Sequence, residues 1–301
     1  MLTTLKRFVL ATTVLGFAAH AVAADLTLDV YNPGESAIFP VSSVLVSGEK
    51  DAILVDAQFG KGQAEQLVQK IRASGKQLTT IYISHGDPDY YFGLDTLASA
   101  FPQAKILAPQ PVVDHIKATV AGKIEYWGPK MGDDKPAKTI IPQVLEGHSL
   151  TLEGQALEVI GLDGPQPDRS FVWIPSIKAV VGGVVVSQNI HLWMADTQGA
   201  KSHADWLATL QRIEKLKPVT VVPGHYLGTP SAKSVAFTAD YIKAFDVETA
   251  KAKDSTALIA AMKKRYPHLA DESRSGSAQS SPPDSRQSSG SSQTMPPAPT
   301  S

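Results

Sequence analysis

The sequence predicts an α/β fold with two sheets packed face to face and helices on their outer sides. Two observations point to it. Adjacent strand-like runs occur in each half of the chain, and helical patterns follow them. Neither a G-x-G-x-x-G nor a G-x-x-x-x-G-K-[ST] loop occurs. A doubly wound single sheet, the competing architecture, would show strict strand–helix alternation and such a loop.

Leu26 to Tyr31 alternates as a half-buried strand does. Ser43 to Gly48 and Ala52 to Asp56 are apolar runs around the turn Gly48-Glu49-Lys50-Asp51, which reads as a hairpin. Gly62 to Ala73 carries Leu67, Val68 and Ile71 at helical spacing. Leu78 to Ile83 is a buried strand, Lys105 to Ala108 another, and Val112 to Val120 a helix. In the second half, Ala156–Ile160, Ser170–Ile174 and Ala179–Val181 read as strands. Ala204 to Leu216 is an amphipathic helix with Trp206, Leu207, Leu210, Ile213 and Leu216 on one face. Thr220 to Val222 is a short buried strand, and helices over about Ala232–Lys251 and Thr256–Arg265 close the domain.

The ends read differently. Lys6 and Arg7, the apolar stretch Phe8 to Ala19 and the small-x-small pattern Ala21-Val22-Ala23 make residues 1–23 a secretory signal peptide. Residues 24–271 form the globular domain. Residues 272–301 are Ser, Pro, Gly and Gln with almost no apolar side chains, a composition expected to be disordered. The chain has no cysteine, so neither disulfides nor a lipoprotein anchor is expected. A periplasmic or secreted product without a membrane anchor follows as the expectation. Net charge is −1 with the signs interspersed, and no basic stripe suggests nucleic acid.

The chemistry is expected at Ser84-His85-Gly86-Asp87-Pro88-Asp89-Tyr90-Tyr91-Phe92-Gly93. His85, Asp87 and Asp89 stand at alternate positions, and Pro88 disfavours helix at Asp87. An extended segment would put the three side chains on one face, as a half-site for a divalent ion. The competing reading is a hydrogen-bonded loop whose aspartates cap a following helix. Pro223-Gly224-His225 ends the run Thr220-Val221-Val222 and places a second histidine at a strand tip.

These pieces together resemble the metallo-β-lactamase-fold superfamily. Its strand leads into Thr/Ser-His-x-His-x-Asp-His, and Ser84-His85-Gly86-Asp87-Pro88-Asp89-Tyr90 stands at that motif. Lys50 to Asp56 resembles the family's earlier strand ending in Asp, and Val222 to His225 its late Gly-His. The resemblance implies a four-layer αββα sandwich. It implies a metal site drawn from His85, Asp87, Asp89 and His225, with Asp89 also the candidate catalytic residue. The sequence departs from the pattern at three places. Asp87 and Tyr90 replace histidines, Gly183 stands where a bridging aspartate is usual, and Gly161 to Ser170 holds no third histidine. Asp163, Asp168, Tyr90 and His191 are further candidates for metal or substrate contact. One divalent ion is expected rather than two, with zinc, manganese and iron not distinguished.

The function this implies is an exported hydrolase acting on a small molecule. A metal-bound hydroxide would attack an ester, lactone, thioester or similar bond. The alternative is a non-catalytic periplasmic protein that keeps the fold and binds a small molecule in the cleft. Asp56 is expected beneath the His85 loop, while His115 and His148 are assigned no role. His203 is expected at the surface.

Overall fold

A computed structural model describes residues 25–270. The expected signal peptide and tail lie outside those residues. In chain order the first half contains β1 (Thr27–Tyr31), β2 (Ser43–Ser47), β3 (Asp51–Val55), α1 (Lys61–Ala73) and β4 (Gln77–Tyr82). It continues with α2 (Pro88–Tyr91), α3 (Leu94–Ala100), β5 (Lys105–Ala108), α4 (Gln110–Met131) and β6 (Gln143–Val144). The second half begins with β7 (Ser149–Leu152), β8 (Gln155–Ile160), β9 (Phe171–Ile174), β10 (Ala179–Val181) and β11 (Ser187–Gln188). Then come α5 (Ala200–Leu216), β12 (Thr220–Val221), β13 (His225–Tyr226), α6 (Ser234–Lys251) and α7 (Ser255–Arg265).

Among the described residues, β1 to β6 form one sheet in sequence order. A second sheet runs β12-β10-β9-β8-β7, and β11 pairs with β13 in a short ribbon. The two-residue period of a strand sorts the side chains into layers. Leu45, Ala52 and Leu54 face outward under α1, α3 and α4. Val44, Val46, Ile53 and Val55 face the other way, against Leu157, Val159, Val172, Ile174 and Val181 of the second sheet. Phe171, Trp173 and Val180 pack beneath Trp206, Leu210 and Ile213 of α5, with α6 and α7 beside them. Two sheets with helices outside give the four-layer αββα sandwich that the sequence predicts.

Three local expectations change. The helix expected over Val112–Val120 runs on to Met131, so Tyr126 and Trp127 are helical. Gly122, in the added turns, faces open space and leaves the helix uninterrupted. Pro129 falls in the last turn, where the helix ends two residues later. His203 is buried, not exposed, because it packs on Phe245 and bonds Asp246 of α6. Asp89 is not extended: Asp87 is, at φ −82° and ψ 150°, but α2 starts at Pro88. Proline at the first helical position both pushes Asp87 out of the helix and starts the next turn.

Candidate functional site

The site lies where β4 empties into its loop, beneath β13 and the segment before β9. Asp56 sits at the end of β3 in the left-handed region, at φ 66°. Its carboxylate accepts from Ser84 N–H at 2.8 Å and from Ser84 Oγ–H at 2.6 Å. Ser84 Oγ in turn accepts from Gly183 N–H at 2.7 Å. This chain ties the two sheets together directly below His85. Burial pushes the Asp56 carboxyl up to about 7 despite the two bonds from Ser84.

His85 and Asp87 form one pair, with Nε2 and Oδ2 3.0 Å apart. The other ring nitrogen, Nδ1, lies 3.1 Å from the Asp168 carbonyl oxygen. Both nitrogens thus face acceptors, and only imidazolium donates to both. Burial works against that charge, but the Asp87 carboxylate outweighs it and raises the His85 pKa. Burial likewise pushes Asp87 up, and the His85 and Lys123 charges hold it well below the usual carboxylate range.

Asp89 and His225 form a second pair, with Oδ2 and Nε2 3.0 Å apart and both side chains buried. Tyr90 stands between the pairs. Its ring centroid is 5.2 Å from that of His85 and 5.5 Å from that of His225, edge-on to both. Its hydroxyl comes so close to Gly224 that an added Cβ would lie 2.7 Å from it.

Two cations complete the site, and neither was singled out in the sequence. Lys123, on α4, places its ammonium 2.7 Å from Asp87 Oδ1 and 3.0 Å from the Gly86 carbonyl oxygen. Arg169, just before β9, is buried with its guanidinium 4.3 Å above the Trp206 ring. Among the described residues, its Nε and Nη2 have no hydrogen-bond partner. Burial lowers its pKa while Asp168, Asp196 and Asp87 oppose the shift.

The other sequence candidates lie elsewhere. Asp163 bonds Arg212 at 2.9 Å on an exposed edge. His191 Nδ1 lies 2.9 Å from the Tyr241 hydroxyl of α6. Asp168 reaches the site through its backbone carbonyl, on His85. Gly183 has φ 79°, and a Cβ there would clash with the Ser170 carbonyl oxygen. A bridging carboxylate therefore has no room at that position.

This donor set does not fit a divalent centre. His85 Nε2 faces the Asp87 carboxylate, Asp87 already holds the Lys123 ammonium, and Tyr90 stands between the two pairs. Among the described residues, no three His, Cys, Asp or Glu side chains are grouped to hold a metal ion. Protein zinc sites use three or four protein ligands, whereas each pair here supplies two.

The fold and site can be set beside known proteins. A metallo-beta-lactamase from Pontibacter korlensis is 18% identical with a TM-score of 0.55, covering 74% of this chain and 96% of that one. The DIM-1 metallo-beta-lactamase is 18% identical with a TM-score of 0.52, covering 73% of this chain and 98% of that one. At such identities the likeness is one of fold. The uncharacterized protein YobT of Bacillus subtilis (strain 168) is 38% identical over 71 residues, 24% of this chain and 30% of that protein. The family model of the metallo-beta-lactamase superfamily matches residues 37–225, from before β2 to His225. That span includes the His85 loop and both sheets, and the chain belongs to the metallo-beta-lactamase superfamily.

Proposed function

We propose that this chain is an exported member of the superfamily whose cleft binds a small anionic molecule without a divalent ion. Arg169 carries the reading. A buried guanidinium whose Nε and Nη2 lack an acceptor among the described residues is costly to maintain. A carboxylate or phosphate of a ligand supplies the missing acceptors as charge-assisted, bidentate bonds. Trp206, with its ring centroid 4.3 Å from the guanidinium carbon, helps hold the cation in place by a cation–π contact. The signal-peptide pattern of residues 1–23 supports export.

A thermal-shift panel of small carboxylates and phosphate esters tests this reading. The wild type is expected to gain stability with at least one of them, and Arg169→Met to lose that gain. If no anion stabilises the wild type, or the gain is equal in the variant, the reading fails.

A metal-dependent hydrolase of an ester, lactone or thioester is the second reading. One observation favours it: each imidazole–carboxylate pair is 3.0 Å apart. Two ligands of one ion, each at about 2.1 Å and at right angles, lie about 3 Å from each other. Stoichiometric metal in the purified protein, lost together with hydrolysis in His85→Ala, would favour this second reading over the first.

A further inference from the structure

We infer that Lys123 is a tethered cation that takes the electrostatic place of a metal ion, and that it fills a latent divalent-cation site made by Asp87, His115 and the Gly86 carbonyl oxygen. The inference rests on the metal-free reading of the cleft and is independent of its anionic ligand.

A lysine ammonium has three N–H groups and no acceptor. The Lys123 ammonium has three acceptors around it: Asp87 Oδ1 at 2.7 Å, the Gly86 carbonyl oxygen at 3.0 Å and His115 Nε2 at 3.0 Å. Each donor has one partner. His115 Nε2 must then present its lone pair, which puts the ring proton on Nδ1. The other arrangement, a charged His115 donating to Asp87, is disfavoured by geometry. His115 Nε2 and Asp87 Oδ1 are 3.7 Å apart, too far for a hydrogen bond.

A carboxylate, an imidazole lone pair and a backbone carbonyl are ligand types that divalent ions also use. His85 stands on the other side of the same carboxylate, its ring nearly parallel to His115 with centroids 6.4 Å apart. The loop is shaped for this approach. A Cβ at Gly86 would lie 2.6 Å from His115 Cδ2, so only glycine lets the α4 imidazole come this close. His115 and Lys123 are eight residues apart on α4, a spacing that falls on one broad face of a helix.

Removing the ammonium should leave Asp87 and His115 without their cation. Lys123→Met is expected to lower the melting temperature, and added Co²⁺ or Zn²⁺ to restore it. Calorimetric titration with Co²⁺ is expected to show at least tenfold tighter binding than in the wild type. Adding His115→Ala to Lys123→Met should remove that gain, and Lys123→Arg should retain the wild-type insensitivity to metal. The inference is overturned if Lys123→Met binds Co²⁺ no better than the wild type, or if the gain survives His115→Ala. Should Lys123→Met fail to fold, Lys123→Gln takes its place. The wild type supplies a readout of its own: nitrogen NMR should find the His115 proton on Nδ1, and a proton on Nε2 contradicts the arrangement. A wild type that itself holds a tight, stoichiometric ion sinks the metal-free reading too. A metal-free wild type with an indifferent Lys123→Met sinks only this inference.

Discussion

Asp56 offers the sharpest thermodynamic test of how the site is built. Its carboxyl is buried between the sheets and pushed up from 3.8 to about 7, against the pull of two bonds from Ser84. In the unfolded chain it titrates near the ordinary value of about 4. A folded pKa above the unfolded one means the folded state holds the proton more tightly. The stability this contributes is complete below about pH 4 and is lost as pH rises through about 7. Between pH 5 and pH 8 the loss amounts to roughly 3 kcal/mol. For a domain of this size that is a fall in Tm of about 6–12 °C. The clean comparison is with Asp56→Asn. Asparagine tolerates the left-handed backbone there and still accepts from Ser84 N–H, but it does not ionise. Urea unfolding of both proteins at pH 5, 6, 7 and 8 isolates the Asp56 contribution from every other titrating group. The wild type should lose roughly 3 kcal/mol more than the variant across that range. Parallel curves would refute the reasoning, because they would mean that Asp56 is ionised in the folded protein throughout.

Two further predictions concern the frame of the site. Gly224→Ala places a methyl group against the Gly183 carbonyl oxygen and 2.7 Å from the Tyr90 hydroxyl. It should cost about 2 kcal/mol by chemical denaturation, in the range of core overpacking, whereas an unchanged midpoint would mean the Gly183–Gly224 contact yields freely. Glu153, in the β7–β8 turn, accepts from the backbone N–H groups of Glu49, Lys50 and Asp51 at 2.7, 2.6 and 2.8 Å. These bonds hold its carboxyl below the usual range, so their contribution is present above the unfolded pKa and lost as pH falls through the folded one. Glu153→Gln should therefore flatten the acid side of the Tm profile, and an unaltered acid side would show that the turn needs no charge.

Much of the fold was legible because strand runs and amphipathic faces encode layers. The apolar, sheet-facing side of α5, with Trp206, Leu210 and Ile213, reads directly from its spacing and packs as expected. The site was legible where residue type and loop position coincide. His85 and His225 each follow a strand, and both are buried beside Tyr90. What escaped was pairing. The alternate spacing of His85, Asp87 and Asp89 suggested one face, yet Pro88 starts a helix and sends Asp89 to His225 instead. Lys123 and Arg169 were invisible for another reason. A lysine on a helix usually reads as solvated, and an arginine between strands as a surface charge. Only the crossing of α4 over the His85 loop brings Lys123 to Asp87, 36 residues away in sequence. The signal available in hindsight was Gly86, which leaves room for His115, together with the eight-residue spacing of His115 and Lys123.

The central claim is that side-chain cations replace the metal centre of this superfamily member. Metal analysis of the purified wild-type protein, before and after dialysis against Zn²⁺, Mn²⁺ or Fe²⁺, tests it most directly. Well under one ion per chain is expected in every case, with no dependence on His85. One ion per chain that survives dialysis and disappears in both His85→Ala and His225→Ala would contradict it.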